Sequence, residues 1–251
     1  MEDFIMKGNN RSFAAIFPHS DDFSIFAGGT MLRLMEQGWT GYFIRLTNDE
    51  KDSHDLSIGE TIFRIENETQ AVAKAMGIRK VYDFNYQNHY LSHEMAVEIR
   101  HRLIFLFRLL KIDMVISFNP WGHDEENPDH TVCGIAVEQA CWMSGRALDL
   151  PELADAGIDR HPVTEKLYVS RNHQTDDFWV DIDMYSERKL NLTMMHTTPM
   201  RNMWDSYTRK KTVDTETAFT DIKEFAKHNF VEHLCAKPYC EAFHHISSGS
   251  Y

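Results

Sequence analysis

The sequence predicts an α/β protein: a mostly parallel sheet with helices on both faces. Two observations carry this. Short apolar runs alternate with longer stretches of helical periodicity through the first two thirds of the chain. Strand and helix in repetition mean βαβ units, whose parallel sheet is covered on both faces.

The runs Phe13 to Phe17, Tyr42 to Leu46, Val81 to Phe84 and Met114 to Phe118 read as strands. Between them, helices are expected over about Phe23 to Glu36, Glu60 to Met76 and His93 to Leu110. Gly77 supplies a stop for the second. Leu103, Ile104, Phe107 and Leu110 keep helical spacing in the third. Crossovers between parallel strands are right-handed, and ligands bind where the strand order switches, at the carboxyl ends. The last third is less regular. Lys166 to Ser170 and Phe178 to Ile182 read as strands, Tyr185 to His196 and Thr217 to His228 as helices, and Ser247 to Ser250 as a frayed tail. A single domain over residues 1–251 is expected, with the irregular stretch from 150 completing it.

The chain has 251 residues, enough to bury a large core without disulfide staples. Its four cysteines, Cys133, Cys141, Cys235 and Cys240, form no C-x-x-C pair. The net charge of −12 argues against a nucleic-acid partner, whose phosphates call for clustered Lys and Arg. No run approaches a membrane span, and Met1 to Ser12 lacks the apolar stretch of a secretory signal. The expectation is a cytoplasmic enzyme or binding protein with no membrane partner.

The chemistry gathers after two strands. Pro18-His19-Ser20-Asp21-Asp22 follows the first and opens a helix. An imidazole and a carboxylate three apart across that turn suit Zn²⁺. Asp21 stands between them, placed to reach a metal-bound water. After the fourth strand, the segment from His123 to His130 is dense in donors, and a helix starting near Asp129 puts His130 in its first turn. Three ligands from two strand ends leave open positions, as a catalytic metal needs. The alternative readings are plain: Asp22 and Asp129 as helix N-caps, and His130 as a packing residue.

These motifs resemble the PIG-L (LmbE-like) family of zinc-dependent N-deacetylases. The family's A-H-P-D-D-E appears as Pro18 to Phe23, followed by Gly28, Gly29 and Thr30. Its L-T-x-G-E appears as Leu46 to Glu50, and its R-x-x-x-E and A-x-x-x-G as Arg64, Glu68, Ala73 and Gly77. Its H-P-D-H appears as Asn127 to His130. Its late Lys and His match Lys189 and His196, and Glu241 to Phe243 match its closing motif. The resemblance implies a Rossmann-like, three-layer sandwich. It implies His19, Asp22 and His130 as ligands of one Zn²⁺ and Asp21 as general base. The substrate it implies is a small N-acylated molecule such as an N-acetyl amino sugar. Relatives that form trimers or hexamers make a homo-oligomer the corresponding expectation.

Three positions depart from the pattern. Ser20 replaces proline, Phe23 replaces an acidic residue, and Asn127 replaces a histidine that assists at the oxyanion. Asn127 can donate a hydrogen bond but carries no proton, so His123 is the expected substitute. Arg64, Glu50, Trp121 and His89 are candidate substrate contacts, with Asn85 and Tyr90 on neighbouring loops. Arg64 reads equally as an ion-pair partner of Glu68. The rival functions are a metal-dependent hydratase of a small unsaturated acid and a non-catalytic sugar-binding module.

Overall fold

The computed structural model describes residues 10–93, 95–171, 175–210, 219–235 and 237–247. Seven strands form one sheet in the order β3-β2-β1-β4-β5-β7-β6. They are β1 Ser12–Phe17, β2 Thr40–Thr47, β3 Lys80–Tyr86, β4 Met114–Phe118, β5 Glu165–Val169, β6 Phe178–Asp181 and β7 Cys240–Ser247. The first five in sequence run parallel, and β7 runs antiparallel to both its neighbours.

The strand residues alternate between two buried layers, because successive side chains leave opposite faces. Phe13, Ala15 and Phe17 join Phe43, Ile116 and Phe118 on one face. There they meet α1 (Asp22–Glu36) and α2 (Ile58–Met76). Ala14 and Ile16 join Ile44 and Val115 on the other, against α3 (Met95–Leu110) and α4 (Pro128–Ser144). Strand β1 pairs with β2 on one side and β4 on the other. The strand order therefore reverses beside β1, and its carboxyl end opens on the crevice.

Local chemistry sets the helix ends. Ser57 and Glu60 form a capping box at the start of α2, and Gly77 ends it in the left-handed region at φ 96°. Asn127 caps α4 by accepting from the Asp129 N–H, with Pro128 in the first turn. Asp129 is thus not the N-cap. Asp22 is the first residue of α1, after Asp21 at the cap position.

The C-terminal third departs most from expectation. After the short α5 (Glu152–Asp155), the helix expected over Tyr185 to His196 is a 3₁₀ turn at Asp183–Tyr185 followed by α6, Ser186–Met194. The next helix, α7 (Thr197–Lys210), was not foreseen. Pro199 reads as a breaker but sits in its first turn, where a missing N–H costs nothing. The helix expected at Thr217 to His228 is α8, Ile222–Lys227, running on into a π turn at His228–Glu232. Thr217 and Ala218 lie outside the described residues. Strand β7 is masked in the sequence by Glu241, a carboxylate at its second position. It is fully buried, and Lys189 Nζ donates to it at 2.7 Å, as do the Gly29 and Thr30 N–H groups. That pair ties α6 and β7 to α1. Ser247 belongs to β7 and is not part of a tail, while residues 248–250 lie outside the described set.

Two glycines report close approaches. A Cβ at Gly134 on α4 would stand 2.7 Å from the Phe118 carbonyl oxygen and 3.0 Å from the Pro120 nitrogen. Backbone cannot step aside cheaply, so this glycine sets how near α4 lies to the end of β4. Gly59, in the first turn of α2, has nothing within 4 Å of that position. Gly134→Ala is expected to lower stability by about 1–3 kcal/mol through overpacking. Gly59→Ala should be neutral or raise it by up to about 1 kcal/mol. Urea unfolding midpoints of the two variants give the comparison, and equal midpoints would refute the close-approach account.

Candidate active site

The loop after β1 is fixed from β2. Thr47 donates both its N–H and its hydroxyl to the Pro18 carbonyl, at 3.0 and 2.8 Å. Asp49, at φ 53°, turns its carboxylate inward to accept the Ser20 N–H at 3.0 Å. A proline at position 20 could not make that bond. Arg45, buried on β2, holds Asp49 in turn and also donates to Asp83 and Glu66, each at 2.6 Å.

His19 and Asp22 leave this loop on one side, as three-residue spacing requires. The His19 N–H donates to Asp22 Oδ2 at 3.0 Å, and His19 Nδ1 lies 3.2 Å from the same oxygen. His130 arrives from the first turn of α4, its ring stacked on Phe118 at 3.7 Å. His130 Nε2 is 3.3 Å from His19 Nδ1 and 3.7 Å from Asp22 Oδ1. Those separations match the edge of a tetrahedron around Zn²⁺, about 3.3 Å for bonds of 2.0–2.1 Å.

The outer nitrogens of both rings face carboxylates. His19 Nε2 faces Asp129 Oδ2 at 3.3 Å, and His130 Nδ1 faces Glu125 Oε2 at 3.1 Å, too skewed for a good hydrogen bond. With a cation between them, each imidazole would direct its N–H outward to a carboxylate and its lone pair inward. Three inward lone pairs this close repel one another unless a cation sits among them. The donor set suits a divalent metal, and these three residues form a candidate metal cluster in the described chain.

Asp129 is fully buried, paired with the His19 ring. It accepts N–H groups from His89 at 2.7 Å and Leu91 at 3.0 Å. It thereby holds the loop after β3, where His89 sits at φ 60°. Burial opposes the charge, but His19 and these bonds hold the Asp129 carboxyl below its usual range. Asp22 is likewise low against burial, through His130 and His19. Asp21 is the contrast. Its carboxyl makes no capping bond, and burial together with Asp22, Asp52 and Asp49 pushes its pKa well up.

A cavity of about 660 Å³ opens over these groups. His19, Asp21, Asp22 and His130 line its floor, with His89, Asn127, Asp52 and Arg171 around them. Ile25, Phe26, Tyr207, Phe225 and Phe230 form an apolar wall. Burial raises Asp52 to about 7, although Asn88 donates to it at 3.0 Å.

Four expected site residues lie elsewhere. His123 is exposed and outside the cavity. Glu50 turns away because the left-handed Asp49 reverses the chain, and it accepts instead from Asn48 and Gln87. Trp121 stands edge-on to Tyr168 and His244, away from the cavity. Arg64 is exposed one turn from Glu60, while Glu68, its expected partner, accepts from Thr197 and Thr198. Asn85 and Tyr90 are exposed and do not line the cavity either. The sequence reading missed Asp52, Arg171 and the apolar wall. Arg171 follows β5, so the strand-end rule could have found it.

With the geometry in place, comparison with known proteins is direct. Residues 14–141, 128 of 251, match the family profile described as PIG-L: GlcNAc-PI de-N-acetylase. The chain belongs to the PIG-L family. The diacetylchitobiose deacetylase of Thermococcus kodakarensis is 24% identical over 200 residues, covering 77% of this chain and 73% of that protein. A probable N-acetyl-alpha-D-glucosaminyl L-malate deacetylase 2 of Bacillus anthracis is 28% identical over 173 residues, 67% and 70% of the two chains. Among solved structures, the N,N'-diacetylchitobiose deacetylase of Pyrococcus horikoshii superposes with a TM-score of 0.74. Its identity is 21%, over 94% of this chain and 84% of that one. The fold is thus that of the PIG-L deacetylases. No helix among the described residues is long and apolar enough to cross a membrane.

One PIG-L feature is altered here. His196 is fully buried, and neither ring nitrogen has a hydrogen-bond partner among the described residues. Its ring stands edge-on to Phe23, 5.6 Å away, where the family pattern has an acidic residue. Burial drives its pKa down from 6.5 to about 3. The unfolded chain therefore binds a proton that the folded chain refuses. As pH falls from 6.5 towards 3, this group removes up to about 1.4 kcal/mol of stability per pH unit. Urea unfolding of metal-free protein between pH 7.5 and 5 should show a shallower loss for His196→Leu than for wild type. Parallel curves would show that His196 is not buried in the neutral form.

Proposed function

We propose that the chain is a zinc-dependent hydrolase that removes an N-acetyl or related N-acyl group from an amino sugar or similar small metabolite. One observation carries the reading: three inward-facing donors share a cavity floor with a separate, uncapped and buried carboxyl group, Asp21. Membership of the PIG-L family and the named activities of the relatives supply the reaction class.

His19 Nδ1, Asp22 and His130 Nε2 would hold the metal. Zn²⁺ in such a site polarises a carbonyl and lowers the pKa of water towards about 7. Asp21 takes the proton of the attacking water. Its raised proton affinity suits a base that must later return that proton to the leaving amine. Asn127 spends its side-chain oxygen on the Asp129 N–H, which leaves its NH₂ group to donate to the carbonyl oxygen as charge grows there. His89, whose pKa burial and His19 lower, is a neutral imidazole on the same wall. It replaces His123 as the candidate partner for the oxyanion. Asp52 and Arg171 are the polar groups suited to sugar hydroxyls.

Asp21→Asn is expected to retain metal and to lose about 10²–10⁴-fold in kcat. His130→Ala should lose the metal itself. Asp129→Asn keeps all three ligands but weakens metal affinity about 10–100-fold, because His19 loses the carboxylate that orients it. Metal content and free-amine release across a panel of N-acetylated sugars measure all three. Near-normal release by Asp21→Asn would remove the base assignment. Water addition to a small unsaturated acid without amine release would mark a hydratase instead. Sugar binding with no turnover by metal-loaded protein would mark a binding module.

A further inference from the structure

We infer that His228, Glu232 and His233 form a second divalent-cation site on the rim of the cavity. The site shares no residue with the His19, Asp22 and His130 cluster, and the inference does not depend on the reaction proposed above. One donor atom from each of the three lies within 4.8 Å of the other two.

The local backbone brings them together. In an α-helix, residue i+5 stands about 140° round the axis from residue i. Here α8 runs into a π turn, closed by the His233 N–H on the His228 carbonyl at 3.0 Å. The widened turn swings residue 233 back over residue 228, and the two imidazole centroids lie 4.2 Å apart. An α-turn of the same sequence would leave only His228 and Glu232 on one face. π turns of this kind recur at functional sites.

The polar partners leave the right atoms free. His233 Nδ1 lies 3.3 Å from the His228 carbonyl oxygen, which keeps a proton on Nδ1 and a lone pair on Nε2. Glu232 Oε1 accepts from Lys227 Nζ at 3.0 Å and from the Tyr239 hydroxyl at 3.1 Å. These fix the carboxylate and leave Oε2 as the open donor. The His228 ring rests 5.1 Å from Phe219, which limits its swing. Two imidazoles and a carboxylate suit a borderline cation such as Zn²⁺, Co²⁺ or Ni²⁺ rather than Mg²⁺ or Ca²⁺. The Lys227 ammonium, on the Oε1 side, makes the site weaker than the buried one. His233 also lines the cavity, so a bound ion gives its apolar side a positive centre.

Equilibrium dialysis of the full chain against Zn²⁺, with metal counted per protein, tests this. Wild type is expected to bind two equivalents, the weaker in the micromolar range. His228→Gln should keep the tighter equivalent and weaken the other at least 30-fold, and Glu232→Gln at least 10-fold. The double variant H19A/H130A should keep only the weaker one. A single equivalent in wild type that His228→Gln leaves unchanged would overturn the inference. So would a second equivalent unchanged in both His228→Gln and Glu232→Gln.

Discussion

The buried carboxylate of Asp129 is the constraint on which the site depends. It is fully buried, and among the described residues its ion-pair partner is His19 and not a lysine or arginine. Such a charge is tolerable only when hydrogen bonds replace the lost water. The replacements come from two strand ends, and the carboxylate stands after a third. The His19 ring arrives from the loop after β1, the His89 and Leu91 amides from the loop after β3, and the carboxylate itself from the first turn of α4. The helix N-terminus adds its own favourable field. Because one side chain satisfies all of these groups, none can move far without stranding the charge. Three loops that share no sequence proximity are thereby held in one arrangement.

A second layer of buried charge supports the first. Arg45 reads in the sequence as an interruption of an apolar strand. In the fold its guanidinium binds Asp49, and Asp49 binds the amide of Ser20, so the position of His19 is set from β2. The Lys189–Glu241 pair does similar work at the middle of α1, where Glu241 accepts two helix amides. Burial lowers the pKa of Lys189, and the adjacent carboxylate opposes that shift. Both pairs are costly to bury and costlier to break, since removing one partner leaves an unpaired charge in the interior. Their value is positional: each joins elements that hydrophobic packing alone would allow to slide.

The sequence made legible what short-range pattern controls. Strands β1 to β6 follow from apolar runs, α2 ends at Gly77 because only a left-handed residue fits there, and the H-x-x-D and P-D-H motifs fall at the switch point. What stayed hidden depends on long-range pairing. Glu241 makes β7 look unlike a buried strand until Lys189, 52 residues away, is placed against it. Asp49 and Glu50 are neighbours with opposite fates, decided by one positive φ that residue type alone does not dictate. The apolar wall comes from α1, α7, α8 and the π turn, and the aromatic residues of the last three face a cavity instead of the main core. In a one-dimensional pattern, wall and core aromatics look alike.

The departures from the family pattern are connected through the same geometry. Serine at position 20 gives the loop an amide that Asp49 captures, so the loss of a proline's rigidity is offset by a buried hydrogen bond. Phenylalanine at position 23 fills the space beside His196 with a ring and joins Phe43 in the core, at 4.3 Å. Burial then keeps His196 neutral and without a hydrogen bond among the described residues, within electrostatic reach of Asp22 and Arg45. A charged imidazole there would draw on Asp22 and weaken its hold on a cation. An apolar neighbour keeps the imidazole uncharged and leaves the negative charge of Asp22 for the cluster. By the same reasoning, asparagine at position 127 removes a titratable group from the rim and leaves its amide tied to the start of α4. On the function proposed above, proton transfer would then fall to Asp21, whose surroundings raise its proton affinity where those of Asp22 lower it.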